Sequence, residues 1–152
     1  MKRRLLLMLF CLLWPVVARS APVDFTFTSL DGSTYTAAEL RGQVVVLNFA
    51  THWCPRCKAE APALEQAYQA YKGRGVAFLN VFVMSDLDDI KSFVKKYRLT
   101  FPVGRDAGMA KQFRIKGVPV TIFIDKTGQV RQRHLDKIAF AELQAGIEDL
   151  FR

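Results

Sequence analysis

Two stretches of this chain are apolar almost without a break: Val44 to Ala50 (Val-Val-Val-Leu-Asn-Phe-Ala) and Val76 to Met84. Strands wet on one face alternate apolar and polar residues, whereas continuous runs belong to strands covered on both faces. Between them Ala61, Leu64, Tyr68 and Tyr71 recur at helical spacing, and Gly73 and Gly75 end the pattern. The succession from Val44 to Met84 is therefore a βαβ unit with parallel strands, in a sheet expected to carry helices on each side.

Weaker patterns flank this unit. Phe25 to Leu30 and Ser33 to Thr36 enclose Asp31-Gly32, a hairpin signal. A second helix is expected from Ser85 or Asp86, with Leu87, Ile90, Val94 and Tyr97 as its buried stripe and Asp86, Asp88 and Asp89 at its positive end. A short helix is expected near Asp106 to Phe113. Val120 to Asp125 and Gln129 to His134 read as an antiparallel pair around Lys126-Thr-Gly128. Phe140, Leu143, Ile147 and Leu150 share one face of a closing helix. No internal repeat or low-complexity tract interrupts the chain after residue 22.

A length of 152 residues suits one domain, and 51% apolar with 24% charged residues is a globular composition. The net charge of +8 overstates how basic the folded part is. Four of the 22 basic residues (Lys2, Arg3, Arg4, Arg19) and none of the 14 acids fall within the first twenty positions, leaving a surplus of four elsewhere. So small a surplus, with no Lys/Arg run longer than two after residue 20, gives no footprint for nucleic acid.

That N-terminus has the form of a signal peptide. A basic start is followed by an apolar stretch from Leu5 to Ala18, and Ala18-Arg-Ser20 places small residues before mature Ala21. The stretch is too short for a comfortable membrane span, so cleavage is the first expectation and an uncleaved anchor the second. Cys11 lies behind bulky Phe10, where a lipoprotein signal needs a small residue, and reads as part of the apolar stretch. Without this segment three cysteines become two, Cys54 and Cys57. A bridge closing so small a loop constrains little of the unfolded chain, so chemistry explains the pair better than stapling does.

Trp53-Cys54-Pro55-Arg56-Cys57 falls where the first apolar strand gives way to a helix entered at Pro55, a residue suited to a first turn. Cys54 is then placed at the helix N-cap and Cys57 one turn along the same face. Free N–H groups and the helix dipole favour a thiolate at Cys54, and Arg56 adds positive charge nearby. The thiolate is the nucleophile of thiol–disulfide exchange, and the second thiol is within reach to resolve a mixed disulfide.

Thr51-His-Trp-Cys-Pro-Arg-Cys-Lys-Ala-Glu-Ala-Pro62, followed some sixty residues later by Gly117-Val-Pro-Val-Thr121, resembles the thioredoxin superfamily. More narrowly it is similar to the exported TlpA/ResA-like branch, which includes the thioredoxins of cytochrome c maturation. The resemblance spans the chain from about Asp24 to its end. It implies an α/β thioredoxin-like fold: a central mixed sheet flanked by helices, an N-terminal β-hairpin at Phe25–Thr36, and a central βα insertion in the 85–103 region. Residues 1–20 would be the signal peptide and 21–152 the domain. It also implies an exposed attacking Cys54 and a buried resolving Cys57 forming the redox-active disulfide. Pro119 would be a cis-proline facing them, and Trp53, Val118 and Pro119 would meet the substrate. Glu60 lies three residues beyond Cys57, on its helical face, and would handle the resolving thiol's proton; the plainer alternative is a solvated helix acid. Asn48 occupies the place of a buried Asp in cytosolic thioredoxins, and Pro62 would kink the helix. Val120 stands where cytochrome c maturation members carry an acid, which weakens an apocytochrome-only clientele.

The activity implied is that of a periplasmic protein-disulfide reductase or related oxidoreductase. It would act as a monomer, with no cofactor and no metal, on disulfide-containing clients, resupplied by a membrane thiol reductase of the DsbD type. Two alternatives stay open. A disulfide oxidase or isomerase uses the same dithiol, although oxidases of the DsbA kind insert a larger helical domain. A copper- or haem-handling chaperone would use the two thiolates as ligands, with His52 as a third for Cu(I). Zinc wants four ligands. His52 is otherwise an exposed loop residue, and His134 reads as structural.

Overall fold

The computed structural model of this protein describes residues 21–152; the expected signal segment, with Cys11, lies outside them. The chain runs β1 (Thr26–Thr28), β2 (Thr34–Thr36), β3 (Val44–Ala50), α1 (Pro55–Tyr71), β4 (Val76–Phe82), α2 (Leu87–Tyr97), β5 (Val103–Arg105), α3 (Met109–Gln112), β6 (Val120–Ile124), β7 (Val130–Leu135) and α4 (Phe140–Asp149). β1 and β2 form the expected antiparallel hairpin. The other five strands form one mixed sheet in the order β5-β4-β3-β6-β7, in which β5, β4 and β3 are parallel and β6 and β7 antiparallel. This is the thioredoxin-like architecture that the resemblance implies.

The unbroken apolar runs are explained by what covers them. Val44, Val46 and Ala50 of β3 pack with Leu64, Ile90, Leu143 and Ile147, so α1, α2 and α4 share one face of the sheet. Val45, Leu47 and Phe49 point the other way, into a second core with Phe25, Phe27, Met109 and Phe113. The second face is therefore covered by the hairpin and the one-turn α3, not by long helices. Gly104 on β5 makes the hairpin's close approach possible, because a side chain there would collide with the Thr28 carbonyl and the Phe27 ring.

Three expectations need correction. β4 ends at Phe82, and Met84 leaves the sheet with a left-handed backbone (φ 44°) and a side chain 74% exposed. In α2 the buried side chains are Ile90 and Phe93, while Leu87, at the helix start, is exposed. β5 follows α2 and completes the insertion as a third parallel strand, which three short residues did not announce. Helix α1 continues across Pro62 to Tyr71. Among the described residues no helix is long and apolar enough to cross a membrane.

Candidate active site

The carboxyl end of β3 delivers the chain to Cys54, which is the N-cap of α1. Its Sγ accepts the Cys57 backbone N–H at 3.3 Å, satisfying one of the free donors of the first turn. Cys57 lies a turn further in, and both cysteines are free thiols. Cys54, the expected attacking thiol, is less open than the resemblance implies, at 7% exposed against 1% for Cys57. The physical reason is the loop opposite, since Cys54 Sγ stands 3.9 Å from the Val118 carbonyl. The Val118–Pro119 peptide is cis, Pro119 is buried, and Trp53 beside the pair is 54% exposed. Burial pushes the Cys57 thiol up, as do its hydrogen bond with Cys54 and, to a smaller extent, the charges of Cys54 and Glu60.

Glu60 is buried, at 1% exposure, which excludes the solvated alternative. Its Oε1 accepts from Asn48 Nδ2 at 2.8 Å and its Oε2 from the Ile138 N–H at 3.1 Å. Asn48 also donates to Thr121 Oγ1 at 3.0 Å, while its own Oδ1 is buried without a partner, as are Thr51 Oγ1 and Asn80 Oδ1. Desolvation raises the Glu60 carboxyl to about 7, against the lowering effect of its two donors. An interior acid that titrates near neutrality, one turn along the helix from the buried thiol, has the pKa of a proton acceptor at working pH.

Arg56 turns away from the cysteines. It pairs with Asp136 at 2.9 Å, across from the end of β7. Asp136 in turn donates its backbone N–H to the Pro119 carbonyl at 3.1 Å, from a left-handed conformation (φ 85°). His52 is half-buried: its Nδ1 lies 2.9 Å from Ser85 Oγ and its Nε2 3.6 Å from Asp89. It thus ties the loop before Cys54 to the start of α2. Among the described residues no three His, Cys, Asp or Glu side chains converge as a metal cluster, so a Cys54–Cys57–His52 ligand set is not assembled. His134 Nε2 lies 3.1 Å from the Lys137 carbonyl oxygen.

The profile of the AhpC/TSA family matches residues 17–133, more than half of the chain. The chain belongs to that family. Among its relatives, the thiol-disulfide oxidoreductase ResA of Geobacillus kaustophilus is 35% identical over 118 residues, covering 76% of this chain and 67% of that one. A secreted Mycobacterium tuberculosis disulfide oxidoreductase, homologous to E. coli DsbE, superposes with a TM-score of 0.74 at 32% identity, over 83% of this chain and 96% of the other. A thioredoxin-family thiol:disulfide interchange protein from Chlorobium tepidum reaches a TM-score of 0.80 at 24% identity, over 89% and 100%, and bears on the fold alone. The enzyme class of this AhpC/TSA member is thiol–disulfide oxidoreductase.

Three parts of the site in this family member escape the sequence. Ile138 acts through its backbone N–H, Asp136 through a pairing eighty residues away, and Thr121 through a hydroxyl in a strand interior. Ile138 and Asp136 leave no motif, and Thr121 closes the Gly117-Val-Pro-Val-Thr121 motif without its hydroxyl being given a role there. A polar residue inside an otherwise apolar strand, as at Thr121 and Asn48, is the nearest thing to a signal.

Proposed function

We propose that this oxidoreductase is an exported reductant that opens disulfides in client proteins outside the cytoplasm. The observation that carries the reading is the order of access: Cys54 at the helix cap beside Val118, and Cys57 behind it with its thiol held protonated. Cys54, as thiolate, attacks one sulfur of the client disulfide. That S–S bond breaks, and the other client sulfur leaves as a thiolate and takes a proton from water. Cys57 then gives its proton towards Glu60 and attacks the Cys54 sulfur of the mixed disulfide. The second client thiolate departs, the Cys54–Cys57 bond forms, and two electrons have passed to the client.

Trp53, Val118 and Pro119 border the attacking sulfur and form the surface that meets the client. Residues 1–20 support export, either cleaved after Ser20 or kept as an anchor, and the domain acts in the periplasm as a monomer. A periplasm is kept oxidising, so the spent disulfide needs an outside source of electrons. A membrane thiol reductase of the DsbD type, docking at the same surface, fills that need. Two measurements test the reading. Cys57→Ser is expected to trap mixed disulfides with clients and Cys54→Ser to trap few; equal trapping overturns the order of attack. In intact cells the pair is expected to be mostly reduced, and a mostly oxidised pair makes the protein an oxidase.

A further inference from the structure

Beside Val118 a groove of about 550 Å³ opens on the side of β7. Its apolar surface comes from Ile115, Val118, Pro119, Val120 and Leu135, and Leu135 is 71% exposed. Its charge is one-sided. Arg56, Arg114, Lys116 and Arg133 line it against a single acid, Asp136, which Arg56 already neutralises. Among the described residues no carboxylate comes within 4.0 Å of Arg114, Lys116 or Arg133, although ion pairs form elsewhere on the surface. Arg133 spends one N–H on the Phe113 carbonyl, at 2.9 Å, which holds its guanidinium in the groove wall. The groove thus joins an apolar floor to three cations with no carboxylate partner among the described residues, a surface complementary in charge to an acidic ligand.

We infer that this groove selects clients whose attacked cystine is flanked by an extended acidic segment carrying an apolar side chain. The inference rests on the reductase reading above and supplies its substrate class. Val118 belongs both to the groove and to the contact with Cys54, so a segment lying in the groove runs directly to the attacking sulfur. The apolar side chain packs on Ile115 and Leu135, and carboxylates on either side of it meet Arg114, Lys116 and Arg133. Opposite charges on groove and ligand raise the encounter rate and hold the register, and both effects fade as salt rises.

The test uses the reduced full chain and three synthetic peptides, each with one internal disulfide and one Leu. The residues around the cystine are Asp/Glu in the first, Ser in the second and Lys/Arg in the third. At low ionic strength the second-order rate constant of the single-turnover exchange is expected to favour the acidic over the basic peptide by about tenfold or more, and the ratio to shrink several-fold in half-molar salt. The double variant Arg114→Glu, Lys116→Glu is expected to reverse the preference. Lys72→Glu, beyond the far end of α1, is expected to keep it. Equal rates for the three peptides, a salt-independent ratio, or an equal loss in Lys72→Glu overturns the inference. Absence of exchange with all three peptides and with neutral bis(2-hydroxyethyl) disulfide instead overturns the reductase reading beneath it.

Discussion

Burial moves the Glu60 carboxyl up to about 7, while the Asn48 amide and the Ile138 N–H pull it back. Below about pH 4.5 the group is neutral in folded and unfolded chains alike. Between there and 7 only the unfolded chain gives up its proton, so the contribution to stability is lost as pH rises through that window. At about 1.4 kcal/mol per pH unit the loss reaches up to about 3 kcal/mol by pH 8. Urea unfolding of the reduced protein is expected to show this decline, and Glu60→Gln to remove it; matching slopes in both proteins exclude a buried titrating acid. Gln is a fair replacement because Asn48 can turn its unpartnered Oδ1 towards the new N–H. Asn48→Ala takes away a donor to the charged form, so the Glu60 midpoint moves higher. The pH dependence of disulfide exchange is expected to shift to higher pH in this variant, with a stability loss of about 1–3 kcal/mol from the unmet carboxylate. An unmoved profile excludes Asn48 as the residue that positions the acid.

Helix α1 and the segment after β7 share the work of closing the site. α1 was legible: Pro55 after a Cys, a glycine pair at its end and an apolar stripe state a helix in side-chain terms. β3 and β4 were legible for the same reason, since both faces of each strand are buried and all but one residue of each is apolar. The 136–138 segment was not, because two of its contributions are backbone N–H groups, which nearly every residue carries. Leu87 misled because a helix's first residue overhangs the sheet, and its period then assigns it to a face it does not reach. Glu60 and Pro119 were placed by resemblance, and their burial came only with the fold. The Arg56–Asp136 pair yields a prediction at this scale. Both partners are exposed, so Asp136→Asn is expected to leave the unfolding midpoint nearly unchanged. Asp136 also raises the Glu60 carboxyl through its charge, so the Glu60 midpoint is expected to fall in the variant. A pH titration of the Glu60 carbon resonance reads this, and a rise would contradict it.

Two cores lie one on each face of a single sheet, and the hairpin covers the second of them. It is held where Gly104 lets Thr28 and Phe27 come close and where Leu30 donates to the Val103 carbonyl at 2.8 Å. Gly104→Ala forces that contact apart, at a cost of about 1–3 kcal/mol. Faster amide exchange confined to residues 25–36 is the expected readout, and uniform exchange across the sheet would show that the hairpin is not a separate cover. The layered burial of the two thiols has one more consequence, which concerns chemical damage. A peroxide or alkylating agent meets Cys54 before Cys57. Oxidation of Cys54 gives a sulfenic acid, and the Cys57 thiol one turn away condenses with it, releasing water and leaving an ordinary Cys54–Cys57 disulfide. That disulfide is the form in which the proposed reductase cycle ends each turnover. A first oxidative hit is thereby returned to the working cycle before a second can carry the sulfur on to an irreversible acid, while an alkylating agent, which leaves nothing to condense, stops the molecule at one blow.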